Sequence, residues 1–465
     1  MSENNKPNIV FIMSDDHAAH AMSCYGSRIN ETPNLDRIAN EGMRFDNCFC
    51  TNSICAPSRA AILTGTYNHK NGVKTLGDRF DSRQPTIQKI LKENDYQTAL
   101  IGKWHLGSGG NADPTGFDYW NVFPNQGDYH DPTMIEMGEE KVYKGYATDL
   151  VTDMSIDWME NRDKSKPFML MCHHKAPHRP WDPDEKHMHM YEDVDIPEPE
   201  TFHDDYATRE YPAKEAKMRI ERDLRVRDVK MEIPENLSGA ELKSWYYQRY
   251  IKDYLRCVAS IDDNVGRMLD YLDEEGIAED TIIVYTSDQG FFLGDHGWYD
   301  KRFMYEESLR MPFIIRYPAA IRPGSTTKDF ALNVDFPETF LDYAGIEIPA
   351  FMQGTSLRPV LEEKTPEDWQ DSMYYRYWEH MSSEHQVAAH YGIRTHQYKL
   401  IYYYGEALGC ADTVDDPREP VWELFDLEKD SYELKNVYHD TSYNEVIKNL
   451  KDELYALKEK VDDVE

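Results

Sequence analysis

Three groups of residues in this 465-residue chain have the types and spacing to do chemistry together. The first is Cys55-Ala56-Pro57-Ser58-Arg59, running on into Ala60-Ala61-Ile62-Leu63-Thr64-Gly65. A Cys-x-Pro-Ser-Arg string arises by chance in about one chain per thousand at average composition. Its plain alternative is a buried structural cysteine at a helix start. The second group pairs Asp15-Asp16 with Ser287-Asp288-Gln289-Gly290. Three carboxylates and an amide oxygen are hard ligands, suited to Ca2+ or Mg2+ and not to zinc, which prefers nitrogen and sulfur. Asp pairs otherwise cap helices. The third group is cationic: Gly102-Lys103-Trp104-His105-Leu106-Gly107, Ala176-Pro177-His178, and Asp300-Lys301-Arg302-Phe303-Met304-Tyr305-Glu306. Taken singly, a surface lysine is a solvated charge and a lone histidine is structural. Arg59, Lys103 and Lys301 converging on a metal would instead build a positive pocket for an oxyanion.

The elements that must position these groups follow the α/β pattern, with apolar runs of strand length alternating with amphipathic stretches of helical period. Residues 8–13 read as a buried first strand that ends at the Asp15-Asp16 pair, and further strands are expected at 97–101, 168–173, 281–286 and 312–317. Both acidic pairs then sit where strands of an open sheet end, the usual ligand site of such folds. Thr32-Pro33-Asn34-Leu35 reads as a capped helix start with proline in the first turn. Helices are expected at 85–94, 147–160 and 245–274, the last with Tyr247, Ile251, Tyr254, Val258, Ile261, Val265 and Leu272 on one face. Residues 181–240 are acidic and weakly periodic, which predicts a surface insertion over the sheet edge. The division expected is a catalytic α/β domain over 1–360 and a C-terminal subdomain over 361–465, where aromatic β-prone runs precede a charged helix near 443–460.

The formal net charge of −34 excludes nucleic acid and an anionic membrane as general partners, since both require a basic footprint. Seven cysteines, at 24, 48, 50, 55, 172, 257 and 410, form no regular framework, so a reducing compartment is expected and disulfides are not. Residues 1–7 are polar, and the apolar run after them is too short for a signal-peptide core. No stretch reaches the roughly 18 apolar residues of a membrane span. The expectation is a cytoplasmic enzyme.

With these motifs in this order, the chain resembles the type I sulfatase family of the alkaline phosphatase superfamily. The resemblance spans Asn8-Ile9-Val10, Thr32-Pro33-Asn34-Leu35-Asp36, the Cys55 segment and Glu423-Leu424-Phe425-Asp426-Leu427. It implies an alkaline-phosphatase-like fold, a large mixed sheet between helices with a small C-terminal sheet of four antiparallel strands. It implies that Cys55 is oxidised by a maturation enzyme to formylglycine, whose aldehyde hydrates to a gem-diol. It also implies a metal shell of Asp15, Asp16, Asp288, Gln289 and the modified Cys55. This chain carries Gln289 where many relatives have Asn or His. In the implied mechanism Lys103 and Lys301 hold the sulfuryl oxygens, His178 protonates the leaving oxygen, His105 removes a proton to release sulfate, and Arg59 pairs with the metal-side carboxylates.

For the alcohol, the stretch 287–318 resembles bacterial enzymes that remove 6-O-sulfate from N-acetylglucosamine units. His17, Tyr377, Glu379, His380, His385 and His390 are the candidate sugar-binding residues, and packing within the small sheet is the alternative for each. The expected substrate is a sulfated mono- or oligosaccharide, with small aryl sulfates also cleaved. An aryl or steroid sulfatase, a phosphonate monoester or phosphodiester hydrolase of the same fold, and a silent sugar-binding protein are the competing readings.

Overall fold

A computed structural model describes residues 6–464; most of the polar start read at 1–7 lies outside them. Ten strands form one mixed sheet. In chain order they are β1 (Asn8–Ser14), β2 (Met43–Phe45), β3 (Gln97–Lys103), β4 (Tyr119–Phe123), β5 (Thr133–Glu136), β6 (Glu139–Val142), β7 (Phe168–His173), β8 (Thr281–Ser287), β9 (Phe313–Arg316) and β10 (Ser325–Thr327). They lie in the order β10-β2-β9-β8-β1-β7-β3-β4-β5-β6. The run β8-β1-β7-β3-β4 is parallel throughout. Its apolar sequences are unbroken because both faces are covered. In β1, Ile9, Phe11 and Met13 enter one core while Val10 and Ile12 enter the other.

Seven helices cover or flank the sheets: α1 (Pro33–Asn40), α2 (Cys55–Thr64), α3 (Ile87–Glu93), α4 (Ala147–Asn161), α5 (Gly239–Glu274), α6 (Asp335–Tyr343) and α7 (Asn444–Lys460). The apolar stripe of α5 and that of α4 pack in the Val10 core, whereas α2 and α6 pack in the Ile9 core. A separate antiparallel meander is built from β11 (Ser372–Tyr377), β12 (His390–Thr395), β13 (Tyr398–Tyr403) and β14 (Val421–Asp426), with α7 against it. This is the alkaline-phosphatase-like arrangement expected. No helix among the described residues is long and apolar enough to cross a membrane, and the seven cysteines form no disulfide among the described residues.

Two expectations change. The segment 181–240 does not lie over an edge of the sheet, whose edge strands are β10 and β6. It packs instead on α5 and on 291–300: the rings of Trp181 and Tyr250 sit 4.5 Å apart, Tyr206 stacks on Trp298, and Tyr299 donates its amide to Met218 O. Its buried residues, among them Trp181, Ile196, Phe202, Met218 and Val229, are spaced singly among charges and leave no period to read. The start of α1 is also held differently. Thr32 makes no side-chain cap, and Asp262 Oδ1 on α5 accepts the free amides of Asn34 and Leu35 at 3.0 and 2.8 Å. A buried carboxylate therefore ties the helix that follows β1 to the long helix. Asp262→Ala is expected to destabilise the protein by about 1–3 kcal/mol, read as a lowered denaturant midpoint; an unchanged midpoint would show that water or Thr32 replaces the cap.

Candidate active site

The parallel register of β1 and β8 sets Ser14 opposite Ser287, so Asp15-Asp16 and Asp288-Gln289 leave the sheet side by side. All four side chains are fully buried. Gln289 Nε2 donates to Asp16 Oδ1 at 2.5 Å, and the Asp16 amide reaches Asp288 Oδ1 at 3.3 Å. Cys55 opens α2, a helix buried along its whole length, and Arg59 stands one turn on, on the same face. Its guanidinium spans Asp288 Oδ2, at 3.0 Å from Nε and 2.9 Å from Nη2, and Lys103 O at 2.8 Å from Nη1. Lys103, the last residue of β3, pairs with Asp15 Oδ2, and Lys301 Nζ pairs with Asp16 Oδ1 at 2.5 Å. His178 Nδ1 faces Arg179 O at 2.7 Å, which turns Nε2 toward Asp16 Oδ2, 3.8 Å away. Asp16, His105, Asp300 and Arg302 all hold positive φ, a concentration of backbone strain at one place.

Several oxygens here lack partners. Asp15 Oδ1, Asp16 Oδ2 and Gln289 Oε1 are buried and accept no hydrogen bond. Ligand atoms of Asp15, Asp16 and His178 lie within 4.8 Å of one another. Orphaned hard oxygens at zero exposure are costly unless a cation completes them, so the residues present fit a bound metal ion. Burial pushes the Asp16 carboxyl up to about 7, with Lys301 pulling the other way. Burial likewise drives the Cys55 thiol up to about 12, Lys301 opposing, so an unmodified Cys55 is a neutral thiol. Lys301 stays charged: burial works against it, but Asp16 and Asp300 raise its pKa above the ordinary lysine range. Burial, then the ammonium groups of Lys103 and Lys301, hold His178 well below the ordinary histidine range, and His105 is lowered in the same manner.

The sugar-binding candidates divide. Glu379 and His385 line a cavity of about 340 Å3 beside the site, together with Arg302, Ser382, Glu384 and Thr413. Glu379 pairs with Arg302, His385 Nε2 meets Asp300 Oδ2 at 3.1 Å, and Tyr377 OH stands 3.4 Å from Arg302 Nη1. The other three turn elsewhere. His17 is buried against Tyr285, its Nδ1 2.5 Å from the phenol oxygen, and burial lowers its pKa to about 3. His380 Nε2 binds Asp416 O, and His390 is packed among Tyr375, Tyr377 and Tyr403 with its Nε2 accepting the Met304 amide. His17 thus packs on the large sheet while His380 and His390 brace a loop and the small sheet, and none of the three lines the cavity of Arg302, Glu379 and His385. Arg302, adjacent to Lys301 in a quoted motif, was the missed residue with a visible signal. Gln126, whose Oε1 accepts from Lys103 Nζ at 2.5 Å, comes from a loop with none.

Residues 7–346 match the family described as Sulfatase, and residues 294–460 match the one described as N-sulphoglucosamine sulphohydrolase, C-terminal. The chain is 46% identical to the N-acetylglucosamine-6-O-sulfatase of Bacteroides thetaiotaomicron, over 96% of this chain and 85% of that protein. It is 31% identical to the arylsulfatase of Clostridium perfringens, over 96% and 93%. A solved structure of a protein in complex with its substrate D-glucosamine-2-N,6-O-disulfate superposes with a TM-score of 0.93 and 44% identity, over 99% of both chains. The phosphonate monoester hydrolase of Agrobacterium radiobacter, at TM-score 0.75 and 22% identity over 98% of this chain and 96% of that one, shares the fold alone. A family match over most of the chain, falling on a buried cluster of acids, cations and Cys55, makes this protein a member of the sulfatase family and a sulfuric ester hydrolase.

Proposed function

We propose that the protein is a calcium-dependent sulfatase that removes the 6-O-sulfate of N-acetylglucosamine or a related glucosamine unit, using a nucleophile made from Cys55. The observation that carries this reading is the gathering of three buried oxygens that accept no hydrogen bond with the cations Arg59, Lys103 and Lys301, in a cluster whose Lys301, Asp288, Asp16 and Arg59 act on Cys55. The relative of 46% identity and the 0.93 superposition support the sugar and its ring position.

Asp15, Asp16, Asp288 and Gln289 would hold Ca2+, with Mg2+ the competing hard cation; when bound, the ion supplies positive charge that acidifies an oxygen nucleophile and steadies sulfuryl oxygens. That nucleophile requires conversion of Cys55 to formylglycine by a maturation enzyme, because the neutral thiol of this buried site is a poor one. Arg59 fixes Asp288 and keeps α2 in register with the acidic cluster. Lys103 and Lys301, each already on a carboxylate, are placed to share their charge with the equatorial oxygens of the sulfate. His178 donates a proton from Nε2 to the departing sugar oxygen. Burial and the neighbouring lysines hold its pKa low, and the negative charge of a sulfate ester would work in the opposite direction. His105, whose Nδ1 is buried without a partner, serves as proton acceptor in the second half of the cycle. Arg302, Glu379 and His385 form the polar wall of the sugar cavity, with Tyr377 behind Arg302. Cysteines that form no disulfide support a reducing compartment, where the substrates would be imported mono- or oligosaccharides.

Sulfate release from a panel of defined sulfated mono- and disaccharides tests this reading, with p-nitrophenyl sulfate and a phenyl phosphonate monoester alongside. The 6-O-sulfated glucosamines should turn over fastest, and Cys55→Ser made in the same host should lose about a thousandfold or more in kcat/KM. Faster phosphonate turnover, or full activity in Cys55→Ser, would sink it. Calcium binding supplies a second test. A carboxyl raised to about 7 exchanges its proton for the metal, so the proton competes increasingly as the pH falls below that value. Apparent Ca2+ affinity by calorimetry should be level above pH 8 and drop by up to about tenfold per unit below pH 7; an affinity flat from pH 8 to 5.5 would contradict the ligand assignment of Asp16.

A further inference from the structure

Lys175 is a buried lysine whose ammonium makes no ion pair; Asp128 and Asp16 act on it only from a distance. It follows β7, only 3% exposed, and among the described residues no carboxylate lies within ion-pair range of it. Its Nζ rests on the face of Tyr129, 4.8 Å from the ring centre. That ring also stacks with Tyr146, and its hydroxyl donates to His178 O at 2.7 Å. The backbone around Lys175 is locked to the site: Asp15 N bonds Ala176 O and His178 N bonds Lys175 O, both at 3.1 Å. The loop that supplies Tyr129 also supplies Gln126 to Lys103. One loop therefore holds Lys103, Lys175 and His178 in place, and among the described residues Lys103 and Lys301 each make an ion pair with a carboxylate while Lys175 makes none.

A buried ammonium without an anion is costly, and a cation–π contact of about 0.5–2 kcal/mol offsets only part of that cost. An anion arriving with the substrate supplies the rest. We propose that Lys175 is a third ammonium for the sulfate group, aimed by the ring of Tyr129, and that it acts most strongly on the dianion released as product. This rests on the reading of the site as a sulfatase centre. Lys175 is thus a substrate-contacting residue and Tyr129 a positioning residue that works through it.

Product inhibition separates this role from a structural one, because inorganic sulfate carries two charges and the desulfated sugar carries none. In the calcium-loaded, matured enzyme, Lys175→Met should raise the inhibition constant of inorganic sulfate about tenfold or more and lower kcat/KM, while inhibition by N-acetylglucosamine stays within about twofold. Lys175→Arg should keep sulfate inhibition within about threefold of the parent. Tyr129→Leu should weaken sulfate inhibition in the parent but add nothing in Lys175→Met. If Lys175→Met does not fold, Lys175→Gln carries the same readout. An active parent whose sulfate inhibition is unchanged by Lys175→Met or Lys175→Gln, or a variant that loses sulfate and neutral sugar alike, overturns the proposal. A parent that releases no sulfate from any ester overturns instead the function on which it rests.

Discussion

The site depends on the in-register parallel pairing of β1 and β8, which brings three carboxylates into one dry corner. Two such charges about 4 Å apart repel by roughly 4 kcal/mol at the effective dielectric of a protein. The corner is tolerable only because cations are delivered to it from three different elements. Arg59 arrives on α2, Lys103 at the end of β3, Lys301 on the loop after β8, and the unpartnered oxygens leave room for an added metal ion. A protein of net charge −34 can thus present a positive face to an anionic ester, because the excess negative charge is elsewhere on its surface.

Delivery of those cations restricts the neighbouring sequence. Gly102 precedes Lys103 with φ +105°, and any side chain there would run into the carbonyl of His173 on the adjoining strand. Glycine at that point lets β3 and β7 end together, so that Lys103 and the 174–178 segment reach the acidic pairs from the same side. The buried helix α2 meets the same demand from the opposite face. It ends at Gly65 in the left-handed conformation, and its side chains pack in the core throughout, so Cys55 and Arg59 have no freedom to withdraw from the cluster.

Much of this was legible in the sequence. Four of the five parallel strands, β1, β3, β7 and β8, were readable because both faces are buried and their apolar runs are continuous, and the C-terminal meander was readable from its aromatic runs; β4 was not expected, and the strand expected at 312–317 is the antiparallel β9. Short strands such as β2 and β10, and the hairpin β5-β6, carry three or four residues each with no sustained alternation, so they left no signal. The buried cluster proposed as catalytic could be assembled because its members lie in local motifs at strand and helix ends. The cavity proposed for the sugar could not, since histidine and tyrosine look alike in sequence whether they line a pocket or brace a sheet. His385 reaches Asp300 at the cavity wall, whereas His390, five residues on, is clasped by aromatic rings. The signal for Tyr129 and Lys175 was absent for a related reason: a cation resting on a ring is a tertiary contact between residues 46 positions apart.

The most direct measurement of the central claim is the mass of the peptide that carries Cys55, taken on preparations matured to different extents and compared with their rates of sulfate release. The account predicts a rate proportional to the fraction in which the thiol has become an aldehyde, extrapolating to zero at zero conversion. A preparation with an intact Cys55 thiol and full sulfatase activity would contradict it.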